Sequence, residues 1–159
     1  MKPTDYLALS IATCGVGYLP LAPGKWGSLV AVRIFLLLAR VVTGGPLVAV
    51  LLVAILVVTF AGIWAATRTE QLSGRKDPGK VVVDEVAGQF IALFPLTLFT
   101  RWSTLAVIVS FILFRFFDIV KPYPANRLQE LHGGAGVMFD DLVAGVYGAV
   151  IVSIMLRFF

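Results

Sequence analysis

The sequence predicts an all-α fold, a polytopic membrane helix bundle with about five crossing helices and a short interfacial helix at the N-terminus. Two features of composition predict a membrane protein. Hydrophobic residues make up 59% of the 159 positions and charged residues only 14%, a composition outside that of soluble globular domains. The mean hydropathy is +0.95, which favours a lipid environment. No linker or low-complexity tract divides the chain, so we expect residues 1–159 to form a single membrane-embedded domain.

Five apolar stretches, each long enough to form a helix, predict the bundle. They cover residues 28–42, 46–67, 86–99, 102–117 and 142–158. Only the second is an uninterrupted run of the ~20 residues that a crossing helix needs, and the third would reach only about 21 Å against a hydrocarbon core of ~30 Å. We therefore expect some helices to end below the headgroups. A preceding segment, 6–14, is too short to cross and predicts the interfacial helix.

The polar connections alternate in length, and their charges predict an orientation. Residues 15–27, 68–83 and 119–139 form long connections, whereas 43–45 and 100–101 form short ones. If all five stretches cross, the long connections share one side. That side carries Lys2, Lys25, Arg68, Arg75, Lys76, Lys80, Lys121 and Arg127, and the other side keeps Arg40, Arg101 and Arg157. The positive-inside rule therefore places the long connections in the cytoplasm.

Two pairs of acidic residues lie where predicted helices begin. Asp84 and Glu85 stand in VVVDEVAG, and Asp140 and Asp141 stand in VMFDDLVAG. Together with Asp118, at the end of the fourth helix, they lie at the cytoplasmic level of the predicted topology. Adjacent carboxylates near hydrocarbon repel one another unless a cation compensates them, and hard oxygen ligands favour Mg²⁺. We expect these five acids to hold Mg²⁺ and to be catalytic, although either pair taken alone could simply cap its helix.

A glycine follows each acidic pair at the spacing of one helical turn. Gly88 lies one turn after Asp84, and Gly145 lies one turn after Asp141. Each acid can therefore share a helix face with a residue that permits close backbone approach. The pattern predicts that the two helices converge on one site.

The fourth apolar stretch carries a polar stripe. Arg115, Asp118 and Lys121 are spaced three residues apart, and Pro122 is expected to end the helix. An arginine within an apolar membrane helix usually faces a buried partner or a functional cavity, and its fork geometry matches phosphate oxygens. Arg115 and Lys121 are thus candidate phosphate ligands. The alternative is a plain salt bridge between Arg115 and Asp118 with a snorkelling lysine.

Two further segments offer candidate substrate contacts. The loop GVGYLPLAPGKWGS contains Lys25 and ends at Ser28, which can cap the first crossing helix, and its backbone amides could hold an anion. An ordinary tight turn is the alternative. His132, the one histidine of the sequence, lies in LHGGAGVMFDD and is a candidate proton donor or phosphate contact. It could equally be an unremarkable surface histidine.

Four of these motifs resemble those of a known protein family. LAPGKWGS at 21–28, VVVDEVAG at 81–88, FRFFDIVKPYP at 114–124 and HGGAGVMFDDLVAG at 132–145 resemble the phosphatidylglycerophosphatase A family in the right order along the chain. The loop 68–80 matches no signature of that family. The resemblance implies Mg²⁺-dependent hydrolysis of phosphatidylglycerophosphate to phosphatidylglycerol and inorganic phosphate at the bacterial inner membrane. It also implies a compact bundle of about six helices.

The simplest mechanistic hypothesis is that one or two Mg²⁺ ions held by the five acids activate a water, while Arg115, Lys121 and Lys25 neutralise the phosphate. A covalent aspartyl-phosphate is the mechanistic alternative.

The alternative function is a proton- or cation-coupled transporter, because acids within a membrane also mark ion pathways. A transporter needs access from both sides of the membrane, whereas here the acids lie on one predicted face. The expected partners are the lipid substrate and the membrane, with no nucleic acid, and the sequence leaves the oligomeric state open.

Overall fold

A computed structural model describes residues 1–20, 22–99 and 102–158, and all regular structure in these ranges is helical, as predicted. The helices are α1 (Pro3–Thr13), α2 (Pro23–Val41), α3 (Gly45–Ser73), α4 (Val83–Leu93), α5 (Thr104–Val120), α6 (Ala125–Leu128) and α7 (Gly134–Phe158). A 3₁₀ helix, Phe94–Leu98, continues α4. The predicted short connection at 100–101, with Arg101, lies outside the described residues.

Two helices begin more than one helical turn before the apolar stretches that predict them. α2 begins at Pro23, whose fixed φ suits the first helical position, so Ser28 lies inside the helix and the prediction that it caps the helix is wrong. α7 begins at Gly134, which packs so closely on α3 that a Cβ atom there would lie 2.2 Å from the carbonyl oxygen of Ile63. Asp140 therefore lies in the second turn of α7, and the prediction that the second acidic pair opens a helix is wrong.

The core of the bundle is the short helix α4. Nine of its 11 residues are buried, and it packs against α2, α3, α5 and α7. Pro95 then lies in the first turn of the 3₁₀ helix, where a missing amide is tolerated. The helix that carries Asp84 and Glu85 is thus enclosed by the others.

The outer faces of the long helices are apolar. They expose Leu52, Val53, Leu56, Val57 and Phe60 on α3, Leu105, Ile108, Ile112 and Phe116 on α5, and Val146, Val150 and Ile154 on α7. Apolar exposure on this scale is typical of a surface that contacts lipid. By length and composition, α3 and α7 are candidate membrane spans, with mean hydropathy of 2.9 and 1.8 over their best windows. Crossing by α2, α4 and α5 stays a prediction.

α1 lies along α3 with its small residues inward. Ala8 and Ala12 are fully buried, whereas Tyr6 and Leu7 point outward and are more than half exposed. The outward apolar side chains agree with the predicted interfacial position. The inward face, however, packs on the protein itself, in the same cluster as Ala65 and other core residues.

Candidate active site

The first acidic pair does not cap its helix. α4 begins at Val83, and no side chain caps its N-terminus in the described part of the chain. Asp84 and Glu85 are the second and third residues of the helix, and Asp84 is only 8% exposed. The capping alternative is therefore wrong for the N-cap position, but both acids lie in the first turn, where a carboxylate complements the helix dipole.

Three carboxylates converge at this point. Oxygen atoms of Asp84, Glu85 and Asp141 all lie within 4.8 Å of one another. One oxygen of each, Oδ1 of Asp84, Oε2 of Glu85 and Oδ2 of Asp141, is buried and has no hydrogen-bond partner among the described residues. Unpaired buried carboxylate oxygens are strongly unfavourable unless a cation compensates them. The three donors fit a hard divalent cation such as Mg²⁺, whose ligands are oxygens.

Glycines bring these acids together. A Cβ atom on Gly145 of α7 would lie 2.3 Å from the carbonyl oxygen of Gly88 on α4, and one on Gly88 would lie 2.5 Å from the carbonyl oxygen of Asp141. Any larger side chain would push the two helices apart. The convergence that the glycine spacing predicts is confirmed.

Arg115 connects three helices beside the acidic trio, the carboxylates of Asp84, Glu85 and Asp141. Its Nη1 lies 3.0 Å from Oδ2 of Asp118, 4.0 Å from Oε1 of Glu85 and 3.3 Å from Oγ of Ser28. The ion pair with Asp118 exists, as the salt-bridge alternative requires, but the arginine also reaches α4 and α2. Its Nε is buried and has no partner among the described residues.

A second ion pair lies at the edge of the cluster. α5 ends at Val120, just before Pro122 as predicted, and Lys121 between them adopts left-handed backbone angles (φ 44°). The Lys121 ammonium pairs with Oδ2 of Asp140 and donates to Oε1 of Gln129 at 3.4 Å. Partial burial opposes the charge, but the hydrogen bond to Asp140 raises the pKa of Lys121 above its ordinary value. Asp140 is therefore paired with the ammonium of Lys121, whereas Asp141 lies with the other two carboxylates.

The remaining predicted residues lie at different distances from this centre. Ser28 is fully buried; its hydroxyl donates to the carbonyl of Gly24 at 3.1 Å and accepts from Arg115. Lys25 is exposed in the first turn of α2, next to Gly24, whose backbone lies against Oε1 of Glu85. His132 is exposed in the turn before α7, and no side-chain contact to the acids is found for it in the described ranges. Substrate contacts by Lys25 and His132 stay predictions.

One acid near the site was missed by the sequence analysis. Asp77 lies in the connection between α3 and α4, where its backbone amide donates to Oε1 of Glu70 at 2.9 Å. It lies within electrostatic range of Lys121 and Asp118. No helical periodicity marks this connection, and only its position shortly before Asp84 could have indicated a role.

A family model and two named relatives point to one family. The family model described as Phosphatidylglycerophosphatase A matches residues 10–156. A Haemophilus influenzae protein of that name is 32% identical over 96% of this chain and 88% of its own length, and the Escherichia coli protein of that name is 35% identical over 85% and 74%. A Bacteroides thetaiotaomicron protein, provisionally named as a phosphatidylinositol-3-phosphatase, is 40% identical over 97% of this chain and 96% of its own length. No solved structure matches the chain.

Proposed function

The chain belongs to the phosphatidylglycerophosphatase A family, and from this premise we propose that it is a lipid phosphatase that hydrolyses phosphatidylglycerophosphate to phosphatidylglycerol and inorganic phosphate. Water adds to phosphorus, the bond from phosphorus to the glycerol oxygen breaks, and that oxygen leaves as a hydroxyl. The observation that carries the site assignment is the convergence of Asp84, Glu85 and Asp141 with one unpaired oxygen each. The family match does not favour the transporter interpretation.

Charge around the site supports a divalent cation. Within the described residues, five carboxylates gather here with two partner cations, Arg115 and Lys121. A phosphate monoester, itself negative, would be repelled by that excess of negative charge. We propose that Mg²⁺ is held by the trio Asp84, Glu85 and Asp141. When bound, it supplies a Lewis acid for the phosphoryl oxygens and lowers the pKa of a bound water.

The two cationic side chains are proposed to hold the phosphate. Arg115 is fixed by Asp118 and Ser28 through Nη1, and its side chain keeps 16% exposure, through which the guanidinium would reach the phosphate. Lys121 is less buried, and Asp140 keeps its ammonium charged and pointed toward the acids. Together they would orient the phosphoryl oxygens from two sides. Asp118 and Asp140 thus act chiefly by holding these cations.

The membrane setting is also part of the proposal. The apolar outer faces and the two candidate spans support an integral membrane protein. We propose that α2, α4 and α5 also cross, that the protein lies in the bacterial inner membrane, and that the acids face the cytoplasm. The basic residues of the long connections support this orientation. A lipid phosphate at that face would lie level with the acidic trio.

The 40% identity to the Bacteroides thetaiotaomicron protein raises a second candidate substrate. Phosphatidylinositol 3-phosphate and phosphatidylglycerophosphate share a phosphate monoester on a polyol that is joined to a lipid by a phosphodiester. The purified protein should be assayed for phosphate release from each lipid in mixed micelles, and from glycerol 3-phosphate, which lacks the lipid. We expect phosphatidylglycerophosphate to be hydrolysed fastest. Preference for the inositol lipid would favour the second candidate, and release from no lipid would refute the proposed function.

A further inference from the structure

An ion pair far from the acidic trio fixes α1 to α3. Oδ1 of Asp5 accepts from Nε of Arg68 at 2.9 Å and lies 2.8 Å from its Nη2, while Oδ2 accepts from the backbone amide of Lys2 at 2.7 Å. Asp5 is only 3% exposed, although Tyr6 and Leu7 beside it point outward. The Lys2 amide and the Arg68 guanidinium hold the pKa of Asp5 below its ordinary value. A buried acid with both oxygens satisfied gives α1 one defined position along α3.

The other end of α1 contacts the segment that leads into α4. The carbonyl oxygen of Ala12, in the last turn of α1, accepts from the amide of Val82 at 2.8 Å. Such terminal carbonyls have no partner inside their own helix. Val82 is the residue immediately before α4 and thus two positions before Asp84. The start of α4 is therefore bonded to α1 through its backbone.

Side-chain packing also connects α1 to the residues around Val82. Ala8 and Ala12 share one core cluster with Val81 and Val83, which flank Val82. In the turn after α1, a Cβ atom on Gly17 would lie 1.9 Å from the carbonyl oxygen of Lys80. The N-cap residue Val82 makes no side-chain cap to α4, and these contacts with α1 help to hold the residues at its start, together with α2, whose Gly27 lies against the carbonyl oxygen of Val82.

We propose that Asp5 and Arg68 are positioning residues that set the place of Asp84 and Glu85 through α1. The inference rests on the proposed function, because it assigns those two acids to the metal site. Metal ligands must be held within about 0.5 Å of their productive geometry. A sliding of α1 along α3 would move Val82, and with it both acids, relative to Asp141 on α7. The ion pair thus acts on the site from two helices away.

The test uses the full chain in nanodiscs and two readouts. Asp5→Asn and Arg68→Gln remove the ion pair, and Glu130→Gln and Arg40→Gln, both exposed positions, are the matched controls. Hydrogen exchange measured by mass spectrometry reports the segment around Val82, and electron paramagnetic resonance of Mn²⁺ reports metal affinity. We expect about 10-fold faster exchange before α4 and about 10-fold weaker Mn²⁺ binding in the first two variants, a size typical of supporting residues. The controls should match the wild type.

Each outcome decides a separate claim. Asp5→Glu keeps the charge and should retain part of the affinity, which guards against a variant that fails to fold. If the Asp5 and Arg68 variants unfold at lower temperature but bind Mn²⁺ and exchange like the wild type, the ion pair is purely structural and the inference is wrong. If the wild type itself binds no Mn²⁺, the proposed metal site is refuted instead.

Discussion

The hydroxyl oxygen of Ser28 on α2 accepts a hydrogen bond from Nη1 of Arg115 on α5 at 3.3 Å, across 87 residues of sequence. Ser28 is fully buried, so water cannot replace this bond. The same nitrogen pairs with Asp118 and lies near Glu85. Ser28 therefore helps to fix the orientation of the arginine that we assign to the phosphate.

The first prediction is that Ser28→Ala lowers kcat/KM about 3- to 10-fold. Loss of one buried hydrogen bond is worth roughly 1 kcal/mol, and here it loosens a group that faces the substrate. Ser153→Ala is the matched control, because Ser153 also donates to the carbonyl four residues earlier, at 2.7 Å, but contacts no arginine in the described structure. Equal kinetics for the two variants in a phosphate-release assay would contradict the positioning of Arg115 by Ser28.

The second prediction concerns Arg115 itself. Arg115→Lys keeps the charge but loses the fork geometry, so kcat/KM should fall roughly 10- to 100-fold. Exchanging Arg115 and Asp118 preserves an ion pair but moves the positive charge, and this double variant should fold in membranes and be inactive. If either variant hydrolyses the lipid at close to the wild-type rate, the arginine is only the partner of Asp118.

A third prediction tests the crossing of α4 and α7. Gly145→Ala places a Cβ atom 2.3 Å from the Gly88 carbonyl oxygen, so the helices must separate. Overpacking of this kind typically costs about 1 to 3 kcal/mol, and it should also weaken Mn²⁺ binding because Asp141 moves away from α4. Gly79→Ala is the control, since a Cβ atom there meets nothing within 4 Å. Unchanged thermal unfolding and metal affinity in Gly145→Ala would show that the contact is not tight.

A fourth prediction addresses topology. Single cysteines at Lys76 and Gln129, in a Cys14→Ala background, should react with a membrane-impermeant maleimide from the cytoplasmic side, and a cysteine at Gly44 from the outside. We expect these labelling sides because the long connections are basic and the outer faces of α3, α5 and α7 are apolar. Labelling of positions 44 and 76 from the same side would exclude five crossings.

Several features of the fold follow directly from the sequence. Apolar runs predicted the main helices, Pro122 predicted the end of α5, and the spacing of Gly88 and Gly145 predicted where α4 and α7 meet. These signals are local, because helix length, breakers and small residues act within a few positions of the chain.

Other features depend on packing between distant segments. The start of α7 is not visible in the sequence because Gly134, which packs on α3, and Gly136, which packs on the turn after α6, add no apolar signal. Likewise, the five acids look alike in the sequence, but Lys121 pairs with Asp140 whereas Asp141 turns toward Asp84. Which acid meets a cation and which meets another acid is decided by the helix crossing, not by the motif.

The most direct test of the central claim is the Mg²⁺ dependence of phosphate release from phosphatidylglycerophosphate by the wild type and by Asp141→Asn. We predict that chelation abolishes release by the wild type, that Mg²⁺ restores it, and that Asp141→Asn turns over at least ~10²-fold more slowly at saturating Mg²⁺. Glu130→Gln, an exposed acid on no helix of the site, should behave as the wild type. Release that persists in chelator, or near-normal turnover by Asp141→Asn, would contradict the assignment of the acidic trio to a catalytic metal.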